Sequence, residues 1–310
     1  MKKYIAVVFL SLVSACAMAG GFILQEENDV FGFTKTDENY TQGLLLQYVG
    51  DPMTNSNSTV RHLYGLRNIF YTPINITIAE PQPNDRPWAG LTALSYTTQT
   101  STKDRFVVSE WMAGVVGAWS YSEQIQTEFH RWIGSHKPMG WSNQIPNEVV
   151  VNYSEDRYYR TWKLGDASGW SMDWANVLGY SLGTAFDYGK LGGILRAGWG
   201  LPNEYKTGVI MPTFTRSSDY SCYLFAETDG RAMLHNITLG GSLWQDGPQQ
   251  DLKNLVVDAK LGCSLAAKRL FGSAWEFTLT FQEIWRSMEF TGQTASENYG
   301  SITLGCMRNL

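Results

Sequence analysis

The stretches 255-LVVDAKLGCSLAAK-268 and 275-WEFTLTFQEIWR-286 contain the pattern that decides the fold. In both, apolar side chains occupy every second position and mostly polar side chains lie between them. Successive side chains of a β-strand point to opposite faces, so each stretch predicts a strand with one apolar and one polar face. Trp275 and Trp285 end the apolar face of the second strand, a placement typical of strands that meet two membrane interfaces.

Weaker copies of this alternation run through the rest of the chain. Segments of about ten residues with dyad alternation are the sequence sign of a transmembrane β-barrel. Because lipid offers no hydrogen bonds to the backbone, such a sheet must close, and we expect an even number of strands. We therefore predict an all-β, antiparallel transmembrane barrel of about twelve strands, with centres near residues 24, 45, 66, 94, 110, 154, 176, 193, 224, 260, 280 and 304. The alternative is a soluble periplasmic β-sandwich, in which the apolar faces meet each other.

Composition excludes several other classes of protein. The chain has 310 residues, only 17% of them charged, and a net charge of −5. No basic stripe is present to follow a phosphate backbone, so we expect no nucleic-acid partner. The four cysteines show no C-x-x-C spacing, which argues against a zinc finger and a disulfide-dense scaffold.

The amino-terminal residues predict export. Lys2 and Lys3 precede an apolar run over 5–13, and Ala17-Met18-Ala19 forms an A-x-A cleavage site. We expect residues 1–19 to be a signal peptide and residues 20–310 to be one barrel domain. The stretch 13–16 also resembles a lipoprotein box, a rival that we consider weaker.

The alternation stops between residues 119 and 147, where the sequence predicts a short helix near 120–134. Ser120-x-x-Glu123 is the pattern of a capping box, and Gly134 is a suitable helix end. An apolar stripe recurs at helical spacing and is expected to dock against the barrel. Its members are Ile125, Phe129, Trp132 and Ile133.

Gln126 and His130 lie one helical turn apart beside that stripe, so both side chains should point into the crevice between helix and barrel wall. A lone histidine in this position is more often structural than catalytic. Its ring nevertheless titrates near neutral pH, which suits a general base. His136 lies six residues later in a predicted loop, and a solvated side chain is an equally good interpretation there.

Oxygen-bearing side chains cluster at Glu26-Glu27-Asn28-Asp29. Such a cluster suits a hard cation such as calcium, although a solvated acidic turn fits equally well. Asp85 and Arg86 are interpreted as an ion pair that fixes a loop. The chain has no G-x-S-x-G elbow or H-E-x-x-H motif. If it is an enzyme, the simplest scheme is water activated by His130 beside a metal ion.

As a set, these motifs resemble the outer-membrane lipid A 3′-O-deacylase family, LpxR. The resemblance covers nearly the whole chain after residue 19. It rests on the order and spacing of Glu27-Asn28-Asp29, Tyr40-Thr41-x-Gly43, Asp85-Arg86-x-x-Ala89, Gly114-Val115-Val116-Gly117, Gln126-x-x-x-His130 with Ile133-Gly134, Trp141-x-x-Gln144-Ile145-x-Asn147, His235-Asn236-Ile237 and Tyr299-Gly300-Ser301.

The resemblance implies a twelve-stranded barrel in the outer membrane of a Gram-negative cell, with its active site between the barrel wall and a loop helix. It implies calcium-dependent hydrolysis of the 3′-linked acyloxyacyl ester of lipid A, with lipopolysaccharide and outer-membrane lipids as partners. Carried over by motif, His130 is the base, with Gln126, Asn28 and Thr41 in the catalytic site. The implied metal ligands are Asp29, Asn28 and Glu27.

The chain departs from the family at three places. It has His136 where the family has an acidic residue, Pro138 where the family has tyrosine, and 82-QPN-84 where a lysine precedes Asp-Arg. Those positions are expected to contact phosphate or sugar, so the departures concern lipid specificity more than hydrolysis. The alternatives are an outer-membrane phospholipase or other lipid esterase, and a non-enzymatic pore or structural barrel. We expect a monomer.

Overall fold

The computed structural model describes residues 20–32, 39–166, 168–205, 218–269 and 275–308. The predicted leader, residues 1–19, lies outside these ranges. The strands are β1 (Gly21–Asn28), β2 (Asn39–Val49), β3 (Met53–Thr54), β4 (Thr59–Thr72), β5 (Ala89–Ser101), β6 (Arg105–Val116), β7 (Glu148–Gly165), β8 (Trp170–Gly183), β9 (Phe186–Trp199), β10 (Tyr220–Asn236), β11 (Leu255–Lys268), β12 (Trp275–Arg286) and β13 (Glu297–Arg308). The helices are α1 (Ser122–Ile133) and α2 (Ile237–Gly240), and short 3-10 turns span Asp29–Phe31, Gly117–Ser120 and Trp141–Asn143.

The sheet is a closed antiparallel barrel. Each long strand pairs with its neighbours along the chain, and β1 pairs with β13 to close the ring. The two-residue β3 only extends the edge of β4. The predicted twelve-stranded barrel is confirmed, and every predicted strand centre falls within a long strand. Closure leaves no unpaired edge, as a lipid environment requires.

Side chains alternate between the outside and the inside of the barrel as the sequence predicts. Leu261, Leu265 and Leu279 are exposed on the outer surface, whereas Asp258 and Thr280 are buried inside. This polarity is the reverse of a sandwich core, in which the apolar face would be buried. The soluble sandwich is therefore excluded.

Strand β6 departs from this rule. Its apolar residues Phe106 and Val108 face the interior, where they pack with Tyr158, Leu201 and Tyr205. The reason is the segment 201–205, which folds into the barrel at the end where β9 finishes. Two buried arginines hold this segment: the guanidinium of Arg61 donates to Glu204 at 3.2 Å, and that of Arg196 donates to the Pro202 carbonyl at 2.9 Å.

Ion pairs fill the middle of the barrel. The Asp258 carboxylate accepts hydrogen bonds from Arg286 and Arg231, in both cases at 2.9 Å. Lys260 pairs with Glu227 at 3.1 Å and with Asp229 at 3.0 Å. Because the inward charges are paired, the buried polar interior is compatible with a folded barrel.

The long connections 73–88, 117–147, 237–254 and 287–296, together with residues 29–32, all lie at one end of the barrel, which we call the loop end. In bacterial barrels the longer loops are extracellular and the short turns periplasmic. Among the described residues, neither helix has the length and apolar character needed to cross a bilayer.

Arg86 closes the interior at the loop end, and its predicted pairing with Asp85 is wrong. The Asp85 carboxylate instead accepts backbone N–H groups of Ile74 and Arg86 at 2.9 and 2.7 Å. The fully buried guanidinium of Arg86 lies 2.7 Å from Glu289 and 3.0 Å from Glu297. Burial alone would raise the pKa of the Glu289 carboxyl, but the combined charges of Arg86, Arg286 and Arg231 hold that pKa below its ordinary value. Arg86 therefore fixes a loop, but it does so through Glu289 and Glu297 rather than through Asp85.

Replacing Arg86 tests the contribution of this cluster to stability. Arg86→Met would leave two buried carboxylates without their counter-charge, which should lower the free energy of unfolding by about 3–5 kcal/mol. Urea unfolding in lipid vesicles, followed by tryptophan fluorescence, measures the change. The control is Arg131→Met, which breaks the exposed Arg131–Glu128 pair and should cost no more than about 1 kcal/mol. Equal effects of the two variants would contradict the account.

Candidate active site

The outer wall of the barrel carries polar residues near the loop end, where lipid-facing positions would ordinarily be apolar. Strand alternation places Asn28, Gln42, Asn68 and Thr72 on the outer face, yet all four side chains are buried. Other parts of the chain must therefore cover them, since burying a polar group in lipid without a partner is costly.

A β-bulge adds Thr41 to this surface. The pairing of β2 with β4 shifts register between Tyr40 and Gln42, which leaves Thr41 without an opposing residue. Bulges re-aim side chains and are frequent beside active sites. The Thr41 hydroxyl lies 2.8 Å from the hydroxyl of Thr72, so Thr41 joins the polar surface of the outer wall.

Helix α1 covers this surface on the side of β4 and β5. The Asn68 amide donates to the Ser122 hydroxyl at 3.0 Å, and the Thr92 hydroxyl donates to the Ser120 carbonyl at 2.7 Å. The approach is so close that a Cβ on Gly90 would lie 2.3 Å from the Ser120 hydroxyl and 2.4 Å from that of Ser122. Glycine at position 90 therefore allows the helix to lie against the wall.

Two details of the predicted helix are wrong. Ser120 does not cap it: its hydroxyl donates to the Gly117 carbonyl, and Tyr121 occupies the N-cap position in a left-handed conformation. The apolar stripe does not dock as a whole either, because Trp132 and Ile133 are half exposed. The helix instead turns a polar face to the wall, since the wall beneath it offers hydroxyl and amide partners. The predicted end at Gly134 is confirmed by its left-handed backbone.

Gln126 and His130 lie on this buried face, as the sequence predicts. Their exposed fractions are 1% and 7%. The indole N–H of Trp141 donates to Gln126 Oε1 at 2.8 Å, which fixes the orientation of the amide. The Nε2 group of Gln126 is buried and has no hydrogen-bond partner among the described residues. The amide NH2 of Gln126, with its two N–H donors, is therefore available to a ligand.

The tautomer of the His130 ring follows from the hydrogen bond of its Nδ1 atom. His130 Nδ1 lies 2.6 Å from the backbone carbonyl of His136. A carbonyl can only accept, so Nδ1 must carry the proton, and in the neutral ring Nε2 then has a free lone pair. The side chain of His136 is exposed, and only its backbone carbonyl contacts the His130 ring.

A row of paired residues on β1, β2 and β4 runs along the outer wall toward helix α1. Asn28 pairs with Gln42, and Gln42 pairs with Phe70. At the usual strand spacing, this row spans about 10 Å. The Phe70 ring packs against Trp141 at 6.1 Å between centroids, which brings the row up to Gln126. Asn28 and Thr41 lie at the β1 and β2 end of this row, and Gln126 and His130 lie on the helix at its β4 end. We take these four residues as the borders of a candidate cleft.

The predicted metal ligands divide between two faces of the wall. Asn28 accepts the Val30 N–H at 2.9 Å, and Asp29 beside it is only 2% exposed. Glu27 points to the inside, where its carboxylate accepts hydrogen bonds from Gln25 and Tyr40. Among the described residues, no group of three or more His, Cys, Asp and Glu side chains is arranged to hold a metal. The structure thus keeps Asn28 and Asp29 together and places Glu27 apart from them.

Trp141 and His136 are the site residues whose roles sequence reasoning missed. The motif Trp141-x-x-Gln144 contributed to the family resemblance, but nothing in it assigned a partner to the indole. A backbone carbonyl leaves no signal in the sequence.

A closed barrel with an apolar outer surface and a covered polar cleft on that surface defines an outer-membrane protein with a site on its lipid side. The chain belongs to the family of outer membrane protein LpxR, whose family model matches residues 4–307.

The fold is also similar to that of solved structures. LpxR from Salmonella typhimurium has a TM-score of 0.76 and 18% sequence identity, with 93% of this chain and 99% of that chain covered. The β domain of the Bordetella autotransporter BrkA has a TM-score of 0.47 and 7% identity, with 94% and 99% covered. The first likeness shows the fold, and the second is too distant to support an argument. No curated protein matches the chain.

The close approach at Gly90 gives a structural test of the cleft. Gly90→Ala should push α1 off the wall and cost about 1–3 kcal/mol, as overpacking does. The displaced loop 117–147 should become more sensitive to protease in detergent, which gel electrophoresis would show. Gly230→Ala is the control, because a Cβ there meets nothing closer than 3.9 Å. Equal protease sensitivity of the two variants would mean that the helix does not depend on this contact.

Proposed function

We propose that the protein is a lipid A deacylase of the outer membrane, which hydrolyses the 3′-linked acyloxyacyl ester with water as the nucleophile. The observation that carries the proposal is the His130 ring, buried in a cleft on the outer wall with its Nε2 lone pair available. Membership of the LpxR family supports the substrate class.

In this scheme His130 acts as the general base. Its Nε2 accepts a proton from water as the water oxygen attacks the ester carbonyl carbon. The imidazolium then returns the proton to the sugar oxygen as the ester C–O bond breaks and the acid leaves. Its Nδ1–H remains bonded to the His136 carbonyl, which holds the ring in place and stabilises the imidazolium that forms.

Gln126 is proposed to stabilise the developing oxyanion. Its Oε1 is occupied by Trp141, so Nε2 is the group that can donate into the cleft. A donor fixed before the reaction needs no reorganisation as charge develops, which makes such groups effective. Asn28 and Thr41 border the cleft on the β1 and β2 side and are proposed to contact the ester.

Calcium is proposed as the cofactor, with Asp29 and Asn28 as its ligands. The donor chemistry fits, since calcium prefers carboxylate and amide oxygens and Asp29 is a buried carboxylate beside Asn28. When bound, the ion would supply positive charge to polarise the ester carbonyl. Glu27 is not included, because its carboxylate is bonded on the inner face of the wall.

The position of the cleft suits a membrane lipid. An acyl chain in the outer leaflet reaches the outer wall sideways without leaving the bilayer, and each CH₂ group that stays in apolar surroundings avoids a cost of about 0.8 kcal/mol. A phospholipase would use the same cleft, and the substitutions at His136 and Pro138 leave that alternative open. A pore is disfavoured by the ion pairs and the 201–205 segment that fill the described interior.

Paired histidine variants test the proposed base. His130→Ala should lower the rate of ester hydrolysis by about 10²–10⁴-fold, the usual contribution of a general base. His136→Ala should keep nearly the full rate, because it removes an exposed ring and leaves the backbone carbonyl. Fatty-acid release from lipid A in detergent measures both rates, and heat-modifiable gel mobility reports folding. A full rate in folded His130→Ala would refute the assignment, as would a large loss in His136→Ala.

Trp141→Phe tests whether the indole positions Gln126. The variant keeps an aromatic ring against Phe70 and Trp88 but removes the N–H donor. Loss of about 1 kcal/mol of orientation should lower kcat roughly five- to tenfold with little change in KM. Adding Gln126→Ala to this variant should then cost less than it costs in the wild type, because the two residues act as one unit. Additive effects would contradict the positioning role.

A further inference from the structure

Helix α1 presents three different faces. Its buried face holds Ser122, Gln126 and His130 against the barrel wall. A second face carries the exposed pair Glu128 and Arg131, joined at 2.7 Å. Between these two faces lies an apolar flank of Ile125, Phe129 and Trp132, and Ile133 ends the helix beside it. Ile125 packs against the Phe70 and Trp141 cluster, whereas Phe129, Trp132 and Ile133 are 37%, 50% and 53% exposed. The exposed apolar surface of the helix therefore lies in its last turns.

The next question is where the helix lies relative to the lipid-facing surface of the barrel. The start of α1 sits on Asn68 and Thr92, which are paired across β4 and β5. Two residues further along the same outer face lie Leu66 and Leu94, also a register pair and both exposed. Two strand residues span about 7 Å. The helix therefore begins at the edge of the apolar belt that faces lipid.

We propose that the flank formed by Phe129, Trp132 and Ile133 is a membrane-contact surface that dips among the acyl chains of the outer-leaflet lipids. The Glu128–Arg131 face then remains at the level of the polar head groups and water. This partition of apolar and charged faces is that of a helix lying in a membrane interface. With the helix in this orientation, the cleft opens toward the acyl chains of the lipids rather than toward the solvent. The lipid contact does not depend on the proposed hydrolysis.

Spin labelling tests the contact in the full chain with its four cysteines replaced by alanine. A nitroxide is attached at Trp132→Cys, at Leu94→Cys in the lipid belt and at Glu128→Cys on the charged face. The protein is placed in vesicles of phosphatidylethanolamine and phosphatidylglycerol. The Trp132 label should resemble the Leu94 label, with high collision rates with oxygen and low rates with a water-soluble nickel chelate. The Glu128 label should show the opposite. A Trp132 label as accessible to nickel as the Glu128 label would overturn the proposal.

A kinetic comparison separates this surface from the chemistry. Trp132→Glu combined with Ile133→Glu should lower the hydrolysis rate on lipid A in bilayers about tenfold, because two apolar contacts with the acyl layer are lost. The rate on lipid A dispersed in detergent micelles should stay unchanged. Glu128→Gln combined with Arg131→Gln, on the charged face, should leave both rates unchanged. An equal loss in bilayers and micelles would contradict the membrane role. If the wild type hydrolyses no lipid, the proposed function fails, while the spin-label comparison still decides the contact.

Discussion

Closure of the sheet in lipid is the constraint on which the rest of the structure depends. In lipid, every backbone N–H and C=O group of the wall must be hydrogen-bonded within the sheet. The wall is therefore built of strands, and each strand residue points its side chain either into the barrel or out of it. The inside is filled with charges such as Asp258 and Arg286, and the outside is a belt of leucine and aromatic side chains. Polar residues on the outer face, such as Asn68 and Thr72, break this rule and are tolerable only under cover. Helix α1 provides that cover on the β4 and β5 side, and the covered region is the candidate active site.

The inner and outer faces of the barrel wall have different roles. Inward-facing Glu27 and Arg86 belong to the hydrogen-bond and ion-pair network that fills the interior. Outward-facing Asn28 and the bulged Thr41 belong to the cleft. Under the proposed function, a membrane lipid would meet His130 and Gln126 without entering the barrel, and the filled interior stabilises the wall beneath them. The helix contributes both the proposed base on its buried face and the proposed lipid contact on its apolar flank.

Sequence reasoning was most successful where a short-range pattern carries the information. Period-two alternation located all twelve long strands, and helical spacing placed Gln126 and His130 on the buried face. It failed where partners are distant along the chain. The inward turn of Phe106 depends on the 201–205 segment, and the partners of Arg86 are Glu289 and Glu297. The capping-box interpretation of Ser120 failed because a preceding 3-10 turn uses its hydroxyl first. Neither a bulge nor a backbone acceptor leaves a mark in a single sequence.

The central claim is that the outer-wall cleft removes an acyl group from a membrane lipid with the help of calcium. Mass spectrometry of lipid A after incubation with the folded protein, in parallel with calcium and with a chelator, tests this claim most directly. The account predicts that the lipid loses the mass of one 3′-linked acyloxyacyl unit when calcium is present and is unchanged when it is chelated. An unchanged lipid A spectrum under both conditions, obtained with a barrel that shows heat-modifiable mobility, would contradict it.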